Sequence, residues 1–86
     1  MPREQVRATL VRMLAEETGG EPRELPDNLS LGDDLGLDSV DFVSLLMRVE
    51  SEFRIRTTHQ ELQSVATIGA LLDLIESKIA TLKAAA

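Results

Sequence analysis

The first part of the chain has apolar positions three and four residues apart, the spacing of an amphipathic α-helix. A helical wheel over about residues 3–18 gathers four large apolar side chains on one side: Val6, Leu10, Met13 and Leu14. Gly19 and Gly20 follow as a stop signal. The pattern predicts a first helix from about Arg3 to Thr18.

Residues 21–33 contain two prolines, Asn28 and Gly32, and they predict a long ordered loop. Loops of this length are unusual inside a small domain and are often functional. We expect four leucines to fix the loop to the core: Leu25, Leu29, Leu31 and Leu35.

A second helix is predicted from about Ser39 to Phe53. Asp38 is a good N-cap for this helix, and Asp41 lies where the helix dipole favours an acidic side chain. One apolar stripe of the helix is expected to face the core: Phe42, Leu45, Leu46, Val49 and Phe53.

A second apolar strip, formed by Val40, Val43 and Met47, lies on the other side of the same helix. Exposed apolar strips often mark contact sites, so we expect Val40 and Met47 to contact a partner protein. The alternative is that the preceding loop or a later short helix covers one of the three side chains. The sequence leaves Val43 open between these interpretations.

The remaining chain predicts a short extended segment at residues 54–56, a brief helix and a final long helix. Thr57 or Thr58 is expected to cap the brief helix, which ends near Val65. Thr67 is expected to cap the final helix, which ends at about Leu82. The apolar stripe of this helix is expected to face the core: Ile68, Leu71, Leu72, Ile75, Ile79 and Leu82. Three substantial helices, one short helix and no convincing strand predict an all-α four-helix bundle with a long first loop.

The length of 86 residues fits a single domain, residues 1–86, with an ordered core at about residues 3–82. We expect a monomer. The net charge of −6 is concentrated in residues 27–53, where seven acidic residues stand against Arg48 alone. Such a surface either aids solubility or attracts basic partners over a distance. It disfavours binding to nucleic acid, because the phosphates are repelled.

Residue types that build catalytic and metal sites are scarce. The chain has no cysteine and a single histidine, His59, which we expect to be a surface or helix-capping residue. An EF-hand loop needs a Glu at its twelfth position, and counting from Asp27, Asp33 or Asp34 places Asp38, Ser44 or Leu45 there. P-loop and dinucleotide-binding motifs are absent from the sequence. We therefore expect no enzymatic activity, no catalytic residue and no metal site.

The sequence also bears on where the protein is found. The polar start of the chain argues against a signal peptide, and the lack of cysteine fits a reducing compartment. No apolar run approaches the roughly 20 residues of a membrane-spanning helix. We expect a cytoplasmic protein without membrane contact.

The run Asp33-Asp34-Leu-Gly36-Leu-Asp38-Ser39-Val leads directly into the second helix. Gly36 permits a tight turn, and Asp38 caps the helix, so Ser39 takes the first helical position with its hydroxyl pointing outward. The N–H groups at a helix N-terminus suit a phosphate attached nearby. A bare Asp-Ser pair, however, indicates no more than a helix cap.

Three further features extend this motif: the helix after it, Phe53-Arg54-Ile55 fourteen residues beyond the serine, and Thr67-Ile68 before the last helix. Together with D-D-L-G-L-D-S-V-D they resemble the acyl carrier protein family over about residues 3–82. The resemblance implies that Ser39 receives 4′-phosphopantetheine from coenzyme A through a magnesium-dependent phosphopantetheinyl transferase. It implies a phosphoprotein whose terminal thiol holds cargo as a thioester.

The same resemblance makes the helix that begins at Ser39 the face contacted by partner enzymes. Its docking residues are then the acidic Asp38, Asp41 and Glu50 together with Val40 and Met47. The chain departs from fatty-acid carriers in the middle of this helix, where they usually have acids and this chain has three other residues: Ser44, Arg48 and Ser51. The departure indicates a dedicated set of partners.

The sequence thus favours a free-standing acyl carrier protein that acts in trans, since the chain ends where the domain ends. Its partners are then the transferase and acyl- or aminoacyl-activating, condensing and modifying enzymes of fatty-acid-like, polyketide or other specialised biosynthesis. The first alternative is a stand-alone aminoacyl or peptidyl carrier, as in nonribosomal peptide biosynthesis. An alternative of another class is an acidic helical interaction module without a prosthetic group.

Overall fold

Four helices in the predicted order make up the computed structural model, which describes residues 2–85. They are α1 (Arg3–Thr18), α2 (Ser39–Phe53), α3 (His59–Gln63) and α4 (Ile68–Ala85). Residues 1 and 86, the ends of the predicted domain, lie outside the described range. Within that range the only β-type pairing is an isolated bridge between Ser30 and Thr67. The predicted all-α class is confirmed.

The core is almost purely aliphatic, because Phe53 is its one buried aromatic side chain. The inward stripe predicted for α1 is buried throughout. Helix α2 contributes four buried residues: Leu45, Leu46, Val49 and Phe53. Helix α4 also contributes four: Ile68, Leu71, Leu72 and Ile75. Burying such a side chain contributes about 1.5–3 kcal/mol. The helices are therefore held chiefly by leucine, isoleucine and valine.

The long loop between α1 and α2 is fixed to this core as predicted. Leu25 and Leu31 are buried, and Leu29 and Leu35 pack against the core while partly exposed. Backbone hydrogen bonds then join the loop to the start of α4: the Ile68 amide donates to the Leu29 carbonyl at 2.9 Å. The loop thereby approaches α2 along a fixed path.

An ion cluster that the sequence did not predict joins α1, the loop and α4. Arg3 contacts three acidic side chains at 3.1, 2.9 and 2.7 Å: Asp27, Asp73 and Glu76. Arg7 also contacts Asp27, at 2.6 Å. Hydrogen bonds from Arg7 and then Arg3 lower the pKa of Asp27 below its ordinary value. The cluster therefore links the start of α1 to the long loop and to α4.

Two local expectations were wrong. Arg54 does not continue as an extended segment, because it terminates α2 in the left-handed conformation, at φ 56° and ψ 48°. Leu82 does not join the core, since its side chain is 47% exposed. Apolar periodicity shows which face of a helix is buried, but not how far the neighbouring elements extend along it.

The short helix α3 begins at a capping box. The Thr58 hydroxyl accepts a hydrogen bond from the Glu61 amide, and the Glu61 carboxylate accepts one from the Thr58 amide. The cap was predicted at Thr57 or Thr58, and the helix ends slightly before the predicted Val65. At the start of α4, the Thr67 hydroxyl accepts from the Ala70 amide at 3.2 Å, as expected of a cap. In the described part of the chain, no helix has the length and apolarity needed to cross a bilayer.

Candidate functional site

Ser39 is the first residue of α2 and is exposed to solvent. The turn that leads to it passes through Gly36, whose φ of 70° lies in the left-handed region that favours glycine. Within the turn, the Asp34 carboxylate accepts a hydrogen bond from the Ser30 amide at 2.7 Å. The Leu37 amide donates to the Leu31 carbonyl at 3.2 Å. A loop fixed on both sides therefore holds the serine at the rim of the bundle.

Asp38 is the N-cap of α2, as predicted. Its Oδ1 atom accepts a hydrogen bond of 2.8 Å from the Asp41 amide, which is one of the four amides that a helix leaves without an internal partner. This bond fixes the first turn of α2 and with it the position of Ser39. The remaining free amides of the turn give the serine a locally positive environment that suits a phosphate.

The histidine that the sequence offers and the carboxylate next to the serine in the chain are engaged elsewhere. Its one histidine, His59, is the exposed first residue of α3, and its ring contacts Gln63 on the same helix at 3.2 Å. Asp38, the residue adjacent to Ser39 in the sequence, accepts the amide of Asp41. Ser39 itself is exposed to solvent.

An open cleft of about 320 Å³ lies beside Ser39, between the long loop, the start of α2 and the segment before α4. Its apolar wall comes from Leu31, Leu37, Phe42, Val65 and Ala66. An exposed hydroxyl at the edge of an open cleft leaves room for a long group attached through its oxygen. The residues present therefore fit a covalently bound flexible arm.

The second apolar strip of α2 faces solvent. Val40 is 76% exposed, Val43 52% and Met47 64%. Neither the preceding loop nor α3 covers these side chains, so the open question about Val43 is resolved in favour of exposure. Together with the exposed Ser51 these three side chains form what we call the outward strip of α2.

Polar side chains beside this strip connect α2 to α1. The Ser44 hydroxyl donates to the Glu17 carboxylate, and Arg48 contacts both Glu16 and Glu17. These contacts lower the pKa of Glu17, with the Ser44 hydrogen bond as the largest cause and Arg48 next. The positive charge of Arg48 is therefore neutralised on the α1 side.

The predicted docking acids differ in how they are engaged. Glu50 Oε2 accepts hydrogen bonds from the amide and hydroxyl of Thr57, at 2.8 and 2.9 Å, and so fixes the turn after α2. By contrast, none of four aspartates around Ser39 makes an ion pair with any described residue: Asp33, Asp34, Asp38 and Asp41. Their charges stay available to a partner.

A helical bundle that presents a serine at the start of its second helix has the architecture of a carrier domain. The family model described as the phosphopantetheine attachment site matches residues 8–75. The acyl carrier protein of Thermotoga maritima is 32% identical over 77 residues, which cover 90% of this chain and 95% of that protein. The acyl carrier protein of Saccharopolyspora erythraea is 29% identical over 85 residues, covering 99% of this chain and 90% of that one.

The three-dimensional comparison agrees with the sequence comparison. The crystal structure of a Thermotoga maritima acyl carrier protein superposes with a TM-score of 0.84 at 25% identity, over 93% of both chains. The chain belongs to the acyl carrier protein family. The prosthetic group of this family is 4′-phosphopantetheine, and its members are carriers that interact with a phosphopantetheinyl transferase and with biosynthetic enzymes.

Proposed function

We propose that this chain is a free-standing acyl carrier, a single domain over residues 1–86, with 4′-phosphopantetheine attached to Ser39. The observation that supports the proposal most directly is the exposure of Ser39 at the first position of α2. The motif around the serine and the family match over residues 8–75 support it further.

In this proposal, the protein's own residues present an oxygen atom and leave its activation to another enzyme. Asp38 holds the first turn of α2 through the Asp41 amide, and Gly36 permits the turn that places Ser39 at the rim. The Ser39 oxygen bonds to the phosphopantetheine phosphorus of coenzyme A, the pyrophosphate bond of coenzyme A breaks to release adenosine 3′,5′-bisphosphate, and the serine proton passes to the transferase. The group, once bound, supplies a thiol that carries an acyl chain as a thioester. The protein itself has no cysteine.

We assign the docking of partner enzymes to the surface around Val40, Asp41, Met47 and Glu50. The strong exposure of Val40 and Met47 supports this assignment, because large apolar side chains on the surface of a small bundle lose contact with water when a partner binds. Asp41 adds charge close to Ser39. Glu50 lies near the other end of α2, and its contact with Thr57 holds its carboxylate in one position.

Mass spectrometry tests the attachment site. The protein is incubated with coenzyme A, magnesium and a broad-specificity phosphopantetheinyl transferase, and intact masses are taken. The wild type and Ser51→Ala, which removes another exposed serine of α2, should each gain one phosphopantetheine. Ser39→Ala should gain none. An unmodified wild type, or a modified Ser39→Ala protein, contradicts the proposal.

The cargo separates the two carrier alternatives. We favour an acyl cargo in fatty-acid-like, polyketide or other specialised biosynthesis, because Leu37-Asp38 precedes the serine as in the acyl carriers that the chain resembles. The holo protein would be offered to acyl-activating and aminoacyl-activating enzymes in parallel. Loading by the aminoacyl-activating enzyme alone identifies a stand-alone aminoacyl carrier. A protein that never accepts phosphopantetheine fits the third alternative, an acidic interaction module.

A further inference from the structure

The charges along α2 are unequal at its two ends. Around Ser39, at the beginning of the helix, Asp33, Asp34, Asp38 and Asp41 keep their charges free of ion pairs with the described residues. At the other end, Arg54 and Arg56 are exposed. The uncompensated charges of α2 are thus negative at its start and turn positive at its end.

The positive charge of Arg54 and Arg56 is only partly offset by its surroundings. Neither arginine forms an ion pair with any residue between positions 2 and 85. Of the nearby acids, Glu52 pairs with Arg12 at 3.3 Å. Glu50, whose carboxylate receives Thr57, contributes one negative charge against the two arginines. This end of α2 therefore keeps a net positive charge.

The backbone of Arg54 is a second, independent observation. Among the described residues, Arg54 is the only one other than glycine with a positive φ. Glycine usually occupies this position after a helix, because a side chain is strained there. An exposed arginine side chain therefore occupies a position at the end of α2 where glycine fits the backbone better. Strained positions of this kind concentrate at functional surfaces.

The outward strip of α2 connects the two charged ends. Ser51 lines a depression together with Met47 and a second depression together with Ile55 and Arg56. The exposed surface therefore continues from Val40 through Met47 to Arg56. Fifteen residues of helix span about 22 Å, which exceeds the screening length of about 8 Å at physiological salt. A partner consequently experiences the two ends as separate charges of opposite sign.

We propose that this surface gives docking a fixed direction. It fits a partner enzyme with basic groups beside the entrance that receives Ser39, an apolar socket for Met47, and an acidic group about 22 Å from the entrance, opposite Arg54 and Arg56. Docking in the reverse direction would place like charges together and is disfavoured. The inference rests on the proposed function, since it describes the partner of the same site.

A synthetic helical peptide of this chemistry serves as the probe. It carries lysines in its first third, leucine and phenylalanine in its middle and glutamates in its last third, with a nitroxide label at either end. NMR spectra of the ¹⁵N-labelled full chain then show which amides each label broadens. The lysine-end label should broaden residues 33–41, and the glutamate-end label should broaden residues 54–56. A peptide with the same composition but interleaved charges should show no preference.

Matched variants test whether Arg54 and Arg56 cause the preferred direction of docking. Arg54→Glu/Arg56→Glu should abolish the preference and weaken binding by roughly fivefold, as expected for the loss of two exposed charge pairs. Arg23→Glu/Lys83→Glu changes the net charge by the same amount at exposed positions elsewhere. This variant should therefore preserve both the directional preference and the affinity for the peptide. A neutral Arg54→Gln/Arg56→Gln protein, checked by circular dichroism, covers the case in which the double Glu variant does not fold.

The inference is overturned if each label broadens both ends equally, if the labelled peptide does not bind, or if both double Glu variants behave alike. The experiment uses the unmodified chain and does not depend on the loading of Ser39. The mass measurement tests that loading separately, so failure of the proposed function and failure of directional docking are distinguishable.

Discussion

The amide of Gly69, in the first turn of α4, donates a 2.8 Å hydrogen bond to the backbone carbonyl of Asp27 in the long loop. A Cβ atom on Gly69 would lie 3.0 Å from that carbonyl oxygen and 3.0 Å from the Asp27 Cβ atom. The carboxylate of the same aspartate forms ion pairs with Arg3 and Arg7. The missing side chain at Gly69 therefore lets the loop approach α4 closely enough for the ion cluster to form.

We expect Gly69→Ala to destabilise the protein. At an open helix position this change usually stabilises by about 0.5–1 kcal/mol, whereas here the loop backbone must move, and overpacking costs about 1–3 kcal/mol. Urea unfolding should show a net loss of about 1 kcal/mol. Gly32→Ala is the control, because no atom lies within 4 Å of its added Cβ, and it should stay within about 0.5 kcal/mol of wild type. A Gly69→Ala protein as stable as the wild type would show that the loop adjusts freely.

The ion cluster around Asp27 should make part of the stability sensitive to acid. Because Arg7 and Arg3 lower the pKa of Asp27 in the folded protein, its contribution is complete above the unfolded value of about 3.9. The contribution is lost as the pH falls through the lower folded pKa. Thermal unfolding from pH 7 to pH 2 should show wild type more stable than Asp27→Asn at neutral pH, with the difference shrinking as the pH falls below about 4. A difference that does not shrink between pH 4 and pH 2 would assign the effect to packing.

Two substitutions of Asp38 separate the effect of its capping hydrogen bond from the effect of its negative charge. Asp38→Ala removes the acceptor of the Asp41 amide and should cost about 1 kcal/mol, measured by urea unfolding. Asp38→Asn retains a capping oxygen and should stay close to wild type, because asparagine caps about as well as aspartate. Equal losses in both variants would show that the negative charge at the helix start, rather than the hydrogen bond, stabilises α2.

Two methionines, Met47 exposed on α2 and Met13 buried in α1, test the face assignment. Met47 is 64% exposed, so Met47→Glu should preserve helicity and change stability by no more than about 0.5 kcal/mol. The same variant, in its holo form, should raise the KM of partner enzymes that use the protein. Met13 is buried, so Met13→Glu should unfold the bundle by placing a charge in the core. Loss of circular dichroism in Met47→Glu would place Met47 in the core and contradict the proposed docking surface.

Features with a local signal were predictable from the sequence. The apolar spacing of α1, α2 and α4 follows from 3.6 residues per turn, and the caps at Asp38 and Thr58 use side chains that bond amides three residues away. The proposal of Ser39 as the attachment site rests on the same kind of local signal, because its motif is contiguous and leads directly into a helix.

Features that depend on the packing of distant elements were not predictable. The contact between Arg3 and Asp73 joins residues 70 positions apart and exists only because α4 lies beside the start of α1. The neutralisation of Arg48 by Glu16 likewise requires the observed pairing of α1 with α2. Arg54 gave no signal, since left-handed helix ends are recognised by glycine or asparagine.

The attachment of α3 has a consequence for how the bundle opens. None of the five residues of α3, all within the described range, is buried. Leu62 is partly buried and packs against the core. Lys78 Nζ of α4 forms an ion pair with Glu61 Oε2 at 2.8 Å. Segments with few buried contacts unfold locally at a free energy well below that of the whole domain. Amide hydrogens of α3 should therefore exchange with deuterium long before those of α1 and α4, and the protein should open first on the side of α3.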